Sequence, residues 1–241
     1  MMKKTLISMA CAAAMAAPAA QAEFSANIGV TSDYLWRGFT QSGHEAAVSG
    51  GLDYSHNFVE GNGSTHGFYA GTWLSSLGNT TDAAGNTGTE VDGYLGLAGE
   101  IAGFGYDVGY IYYAYMQLED FDFSEIYANL SWNWLSGGVA YTVDSDAGGD
   151  DDHIYGYVTA TLDLGLVTPQ LTDWSTAFTV GGYDFDGGGD DDYTQYQLDI
   201  TKSAGDYGDF TFTAAYVDNL PFDGNPDESD TSLAVSWTKT F

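Results

Sequence analysis

The fold is decided by residues 125–134, which read Glu-Ile-Tyr-Ala-Asn-Leu-Ser-Trp-Asn-Trp. Apolar residues occupy every second position of this segment, and polar or polar-tipped residues stand between them. A period of two places the two sets on opposite faces of a β-strand, whereas an amphipathic helix has a period of 3.6. The same alternation returns at 154–164 and 193–202. We therefore predict an all-β chain.

Twelve such runs follow one another, separated by clusters of Gly, Asp, Asn and Ser that are typical of turns. They are 24–37, 46–58, 66–76, 89–101, 103–116, 124–135, 137–144, 153–164, 174–184, 193–203, 208–218 and 230–241. This much strand is unusual for a soluble domain. It suits a transmembrane barrel, because strands of about 9–11 residues span the bilayer and closure leaves no unpaired edge. We predict one closed antiparallel transmembrane β-barrel of about 12 strands, an up-and-down meander, over residues 23–241.

The connections between the predicted strands support this topology. In bacterial barrels, long external loops alternate with short periplasmic turns. The odd-numbered connections, such as 77–88, 144–153, 184–192 and 218–230, are long or acidic, and even-numbered ones such as 136–138 are mostly short. The even-numbered connections 59–65 and 165–173 are longer than the rule prefers. We expect the odd-numbered loops to face the outside of the cell.

Residues 1–22 have the features of a secretory signal peptide. Lys3 and Lys4 precede a short apolar run, and positions 20–22 read Ala-Gln-Ala, a small-residue cleavage site. We expect removal of this segment and export through the periplasm to the outer membrane of a Gram-negative bacterium. Cys11, the one cysteine of the sequence, lies in this leader, so we expect no disulfide in the mature chain.

The charge of the chain limits its partners. The sequence has 34 acidic and 5 basic residues, a formal net charge of −29. A surface of this kind repels phosphate, so we expect no nucleic-acid partner. The hydrophobic content of 44% and the aromatic content of 15% argue against a disordered chain. The expected partners are outer-membrane lipid and lipopolysaccharide, the barrel insertion machinery, and small solutes or cations.

The C-terminal strand carries a pattern typical of outer-membrane barrels. Apolar residues alternate up to an aromatic final residue, and we predict that four of them form a membrane-insertion signal: Leu233, Val235, Trp237 and Phe241. One position departs from the pattern, because Lys239 stands where an apolar or aromatic residue is usual.

The beginning of the mature chain resembles a known family. Residues 25–38 read Ser-Ala-Asn-Ile-Gly-Val-Thr-Ser-Asp-Tyr-Leu-Trp-Arg-Gly and, with the segments 50–54, 67–73 and 106–113, are similar to the TorF family of porins. The resemblance implies an outer-membrane barrel that passes solutes. It implies no catalytic residues and leaves the solute open.

The alternation also assigns side chains to the interior of the barrel, because only the apolar face can meet lipid. The pore-lining candidates are eight carboxylates and one guanidinium: Asp33, Arg37, Glu90, Asp92, Glu100, Asp107, Glu125, Asp163 and Asp199. Tyr34 and Trp36 fall on the opposite, lipid-facing parity. An alternative role for Arg37 is a salt bridge inside the lumen. Inward tyrosines, among them Tyr94 and Tyr155, would narrow the passage.

An acidic passage with low-dielectric walls concentrates cations and rejects anions. We therefore predict a porin-like channel for passive diffusion of small hydrophilic solutes, with a weak preference for cations. The alternative is an outer-membrane barrel enzyme, lipase-like or protease-like, with a site at the extracellular rim, where His44 and His153 fall. No G-x-S-x-G or H-E-x-x-H motif accompanies them, so we do not expect an enzyme. A non-conducting structural or divalent-binding surface protein is the third hypothesis.

Two predicted external loops, 144–152 and 184–192, share the pattern D-x-D-x-G-x-D-D-D. Calcium takes six to eight oxygen ligands, so one interpretation is an ordered Ca²⁺ site in each loop. Its candidate ligands are Asp144, Asp146, Asp150, Asp152, Asp184, Asp186, Asp190 and Asp192. The spacing fails the EF-hand test, because the twelfth position holds Tyr155 or Gln195 in place of Glu. The other interpretation is a solvated acidic loop that divalent cations bridge loosely to lipopolysaccharide. We expect no other cofactor.

Overall fold

The computed structural model describes residues 23–61, 63–81, 87–118, 121–146, 152–185, 192–218 and 229–241. Their strands are β1 (Glu23–Thr31), β2 (Leu35–Trp36), β3 (Phe39–Thr40), β4 (Ala47–Gly61), β5 (Ser64–Thr81), β6 (Thr87–Ile101), β7 (Phe104–Met116), β8 (Phe123–Trp132), β9 (Leu135–Ser145), β10 (Ile154–Asp163), β11 (Trp174–Asp184), β12 (Tyr193–Ser203), β13 (Asp209–Asp218) and β14 (Ser229–Thr240). Short 3₁₀ turns lie at Leu164–Leu166, Pro169–Leu171 and Gly205–Tyr207. No helix in these described ranges is long and apolar enough to cross a membrane.

Twelve of the strands form one closed antiparallel barrel in the order β1-β14-β13-β12-β11-β10-β9-β8-β7-β6-β5-β4. Strands that follow one another along the chain pair side by side, and β14 closes the barrel against β1, with Asn27 opposite Thr240. The short strands β2 and β3 pair only with each other. The predicted 12-strand meander is confirmed.

Side chains alternate between an apolar exterior and a polar interior. On β8, Leu130 is 69% exposed, whereas Glu125 on the same strand is 1% exposed. The same contrast separates Leu95 from Glu90 on β6. An exterior of this kind suits lipid hydrocarbon, and the polar side chains are enclosed by the wall.

The connections at one end of the barrel are mostly short, as predicted. Residues 102–103 and 133–134 link neighbouring strands there, and 164–173 is the longer exception, with two 3₁₀ turns. The predicted connection at 59–65 is wrong. A register shift between Asn57 and Val59 lets β4 and β5 stay paired as far as Gly61 and Ser64. That this short-turn end faces the periplasm stays a prediction from the rule for bacterial barrels.

Inward tyrosines occupy much of the lumen. Four of them lie across glycines of a neighbouring strand, in the pairs Tyr69 with Gly96, Tyr94 with Gly71, Tyr127 with Gly109 and Tyr155 with Gly181. A Cβ atom at any of these glycines would collide with the tyrosine ring. The glycines therefore provide the room in which the rings pack against the wall.

The structure departs most from the prediction after Thr31. The first strand was predicted to continue to residue 37, but β1 ends at Thr31 and the segment that carries β2 and β3 folds into the barrel. Tyr34 and Trp36 accordingly lie in the lumen and not against lipid, with their rings beside Trp73 and Tyr113. The prediction was wrong because alternation continues from β1 into this loop without a break in the pattern.

Candidate functional site

The hairpin of β2 and β3, which we call the lumen hairpin (residues 35–40), constricts the barrel. Its tip residues Arg37 and Gly38 have φ angles of 48° and 87°. Positive φ at both central positions is the requirement of a type I′ hairpin turn. A Cβ atom at Gly38 would lie 2.7 Å from Val217 Cγ2 on β13, so the tip reaches this side of the wall closely enough to require glycine.

Arg37 attaches the tip to another part of the wall. Its Nη1 donates to Glu125 Oε1 at 2.7 Å and its Nη2 donates to Oε2 at 2.6 Å. The two side chains are only 10% and 2% exposed. The guanidinium carbon also lies 4.1 Å from the ring centre of Trp36 and 4.3 Å from that of Tyr155. Arg37 and Glu125 therefore form a buried two-point ion pair that joins the tip of the hairpin to strand β8.

Asp33 fixes the base of the lumen hairpin. Its Oδ1 accepts hydrogen bonds from Thr40 Oγ1 at 2.6 Å and Ser42 Oγ at 3.2 Å, and its Oδ2 lies 2.9 Å from His44 Nδ1. The prediction placed Asp33 and Arg37 on the inner face of a wall strand. Both lie instead in the inward-folded loop, where Asp33 holds the two ends of the hairpin together.

Two buried carboxylates on β6 lie beside the base of the hairpin. Tyr34 Oη donates to Glu90 Oε1 at 3.0 Å. Glu90 is 1% and Asp92 5% exposed. The atoms Glu90 Oε2 and Asp92 Oδ1 are buried without a hydrogen-bond partner among the described residues. Within those residues, no salt bridge joins either carboxylate to a basic side chain.

Two other predicted lumen carboxylates, Asp107 and Asp199, accept hydrogen bonds at both of their oxygen atoms. Asp107 Oδ1 accepts from Tyr69 Oη at 2.6 Å. Asp199 Oδ1 accepts from Thr213 Oγ1 at 2.6 Å, and its Oδ2 accepts from Gln197 Nε2 at 2.9 Å. These carboxylates belong to hydrogen-bond networks that line the wall, unlike the pair on β6.

The remaining two pore-lining candidates lie at the short-turn end of the barrel. Glu100 is exposed one residue before the end of β6. Asp163 is the last residue of β10, and its Oδ1 accepts from the backbone N–H of Gly165 at 2.8 Å, which caps the first 3₁₀ turn. They lie at the mouth of the lumen and away from the lumen hairpin.

The acidic external loops are described only in part, since three predicted calcium ligands lie outside the described residues: Asp150, Asp186 and Asp190. At the loop ends, Asp152 accepts a hydrogen bond from the Tyr141 hydroxyl and Asp192 accepts from the backbone N–H of Phe185. No group of three or more metal-ligating side chains occurs in the described part of the chain. The calcium sites remain a prediction.

The predicted insertion signal lies on the strand that closes the barrel. Leu233 and Val235 face outward and Phe241 is exposed, whereas Trp237 is half-buried and donates from Nε1 to the Tyr207 carbonyl oxygen at 2.7 Å. Lys239, the departure from the pattern, donates to the carbonyl oxygen of Asp206 at the short-turn end. Recognition of this strand by the insertion machinery remains a prediction.

His44 does not form a hydrolase triad with the described residues around it. A Ser-His-Asp triad has the imidazole between the hydroxyl and the carboxylate. Here Ser42 Oγ contacts Asp33 and not His44, and Ser42 is completely buried. The ring of His153 packs against Phe185, with ring centres 5.1 Å apart. The arrangement around His44 therefore lacks an activated nucleophile.

A closed meander with an apolar exterior and an enclosed polar lumen defines the class of outer-membrane β-barrels. The chain belongs to the Gcw_chp family, described as a bacterial protein of unknown function, and the match covers residues 15–231. The match supports no assignment to the TorF family, although the barrel implied by that resemblance is present. No curated protein matches the chain.

Solved structures that are similar to the chain are also outer-membrane barrels. KdgM porin has 11% identity and a TM-score of 0.51, over 90% of this chain and 99% of that one. An outer membrane channel from Pseudomonas putida F1 has 14% identity and a TM-score of 0.49, over 94% and 97%. The outer membrane phospholipase of Salmonella typhi, a dimer with bound calcium, has 12% identity and a TM-score of 0.46, over 90% of each chain. At this identity the likeness to KdgM porin shows the fold alone.

Proposed function

We propose that this protein is an outer-membrane channel for passive diffusion of small hydrophilic solutes, narrowed by the lumen hairpin and weakly selective for cations. The observation that carries the proposal is a closed barrel whose enclosed face is polar and acidic while its exterior is apolar. The fold shared with KdgM porin and the TorF resemblance of residues 25–38 support the same role.

The charges of the lumen support a preference for cations. Arg37 is neutralised by its ion pair with Glu125. Glu90, Asp92 and Asp199 are buried in the barrel and have no basic partner in the described residues. Carboxylates in an enclosure with low-dielectric walls raise the local concentration of cations and exclude anions.

The size of the barrel supports a narrow passage. Barrels of about 8 strands are filled by their own side chains, and those of about 16–18 strands hold a water-filled channel. This barrel has twelve strands, inward tyrosines and a hairpin across the lumen, so we expect it to pass ions and small solutes and not folded polymers.

Recording from the purified barrel in a planar lipid bilayer tests the proposal. We expect discrete conductance steps. In a KCl gradient, we expect a reversal potential shifted from zero toward the equilibrium potential of K⁺. Neutralising three lumen carboxylates in Glu90→Gln/Asp92→Asn/Asp107→Asn should move this potential toward zero. A matched control removes three exposed carboxylates, in Glu23→Gln/Glu45→Gln/Asp206→Asn, and should leave it nearly unchanged. A silent bilayer would overturn the channel, whereas conductance without ion preference would overturn only the selectivity.

A further inference from the structure

We propose that Glu90 and Asp92 form a binding site for one partly hydrated divalent cation of the Mg²⁺ type inside the barrel. The inference rests on the lumen of the proposed function and adds to it a discrete ion site. The two residues are separated by one position on β6, so they share its inner face, with side chains roughly 6.6 Å apart along the strand. Two carboxylates at this spacing can converge on a single ion.

One oxygen atom of each carboxylate in the pair lacks a hydrogen-bond partner among the described residues. Burying a charged carboxylate costs a large free energy unless it is paired or coordinated. Glu90 Oε2 and Asp92 Oδ1 are both buried with no hydrogen-bond partner among the described residues, although Asp107 and Asp199 elsewhere in the lumen find donors. The structure therefore provides two oxygen ligands on one face that no side chain of the described wall uses.

The pair lies among hydroxyl-bearing and aromatic side chains. In the strand register, Glu90 lies opposite Ser75 of β5 and Tyr115 of β7, while Asp92 lies opposite Trp73 and a tyrosine. Tyr34 of the inward loop covers Glu90 with its hydroxyl group. None of these neighbours is basic. A bound cation would supply the positive charge that they lack.

The number of ligands selects the class of cation. Calcium takes six to eight oxygen ligands, whereas Mg²⁺ keeps several waters and binds through one or two carboxylates. No group of three or more acidic, histidine or cysteine ligands occurs in the described ranges, so water and neighbouring hydroxyl groups would complete the shell. One divalent ion would also neutralise both carboxylates.

Mn²⁺ is a suitable probe, because its binding to the folded barrel in detergent can be counted by electron paramagnetic resonance. Working at about 0.3 M NaCl weakens association with the exposed acidic loops. We expect one bound Mn²⁺ per wild-type barrel that Mg²⁺ displaces, and a loss of about tenfold or more in affinity in Glu90→Gln/Asp92→Asn. Gln at position 90 keeps an acceptor for Tyr34. The control Asp107→Asn/Asp199→Asn makes the same change of charge and should bind as the wild type does.

Folding of each variant is checked by the different gel mobility of heated and unheated samples. If the double variant fails to fold, Glu90→Gln and Asp92→Asn are measured singly. The inference is overturned if wild type binds no Mn²⁺ between pH 6 and 8, which would mean that the pair is held by a proton. It is also overturned if Glu90→Gln/Asp92→Asn binds as wild type does, or if the control loses as much affinity.

Bilayer recordings on the same samples separate this inference from the proposed function. A silent barrel that binds Mn²⁺ through Glu90 and Asp92 would overturn the channel and keep the site. A cation-preferring channel that binds no Mn²⁺ would overturn the site and keep the channel.

Discussion

Arg37 and Glu125 form a two-point ion pair across the lumen, with nitrogen to oxygen distances of 2.7 and 2.6 Å, although 88 residues separate them in the sequence. The pair joins the tip of an inward-folded loop to strand β8. Tyr193 adds a hydrogen bond from its hydroxyl group to the Arg37 carbonyl oxygen at 3.2 Å. These contacts hold the lumen hairpin in the path that a solute would take.

The first prediction concerns this ion pair. Arg37→Ala should release the hairpin tip and raise the single-channel conductance severalfold, because it removes the contact and leaves Glu125 buried without an ionic partner. Breaking one side of a buried pair costs about 3–5 kcal/mol. Glu125→Gln should act in the same direction. Lys202→Ala breaks the exposed pair with Asp173 and serves as the control, since exposed pairs contribute little.

Unchanged conductance in Arg37→Ala, in a barrel that still shows heat-dependent gel mobility, would contradict the role of the pair in holding the hairpin. A larger conductance in Lys202→Ala would show that the effect is not specific to the lumen.

The second prediction concerns Gly38, the glycine at the tip of the lumen hairpin. Gly38 has a φ of 87° and Gly63 a φ of 77°, so alanine is strained by a similar amount at both positions. A Cβ at position 38 would lie 2.7 Å from Val217 Cγ2, whereas a Cβ at position 63 would meet nothing within 4 Å. We expect Gly38→Ala to displace the hairpin and increase the conductance, and Gly63→Ala to leave it as in wild type. Equal conductance in the two variants would show that the tip does not need its close contact with β13.

The third prediction concerns the tyrosine and glycine pairs of the wall. Alanine at Gly109 would collide with the Tyr127 ring, while alanine at Gly93 would meet nothing within 4 Å. Overpacking of this kind costs about 1–3 kcal/mol. We therefore expect Gly109→Ala to lower the free energy of unfolding in urea by this amount, and Gly93→Ala to leave it nearly the same. A destabilisation of similar size in both variants would locate the effect in the strand backbone and not in ring packing.

The barrel itself could be predicted because alternation with period two is imposed on every wall strand by lipid on one side and polar groups on the other. The lumen hairpin could not be predicted in this way. Its strands are two residues long, and Asp33 and Arg37 keep the parity of β1 after the chain has left the wall. The available signal was the Arg37-Gly38 dipeptide within a supposed strand, since glycine there marks a turn or a close approach.

The lumen carboxylates show a second limit of sequence reasoning. Parity placed Glu90, Asp92, Asp107 and Asp199 in the interior with equal weight. What separates them is the set of hydrogen-bond donors around each carboxylate. For Asp107 and Asp199 these donors depend on the registers of the successive strand pairs from β5 to β8 and of β12 with β13. That register is a property of the closed barrel and is not visible in any one strand.

The fourth prediction concerns calcium at the external loops 144–152 and 184–192. Sites of this type on extracellular modules bind Ca²⁺ at about 10⁻⁴–10⁻³ M. With a protease that does not itself depend on calcium, we expect about 1 mM Ca²⁺ to slow cleavage within both loops several times more than Mg²⁺ does. Asp144→Asn/Asp146→Asn should abolish the protection of the first loop alone.

The acidic connection 218–230 is the internal control, because it lacks the repeated D-x-D-x-G-x-D-D-D pattern. Ordered calcium sites would protect the two patterned loops and leave cleavage at 218–230 unchanged. Equal protection of all three, or equal protection by Mg²⁺, would instead indicate a diffuse layer of counterions around solvated carboxylates. That outcome would fit loose bridging to lipopolysaccharide, since bridging requires only local negative charge and not a fixed set of ligands.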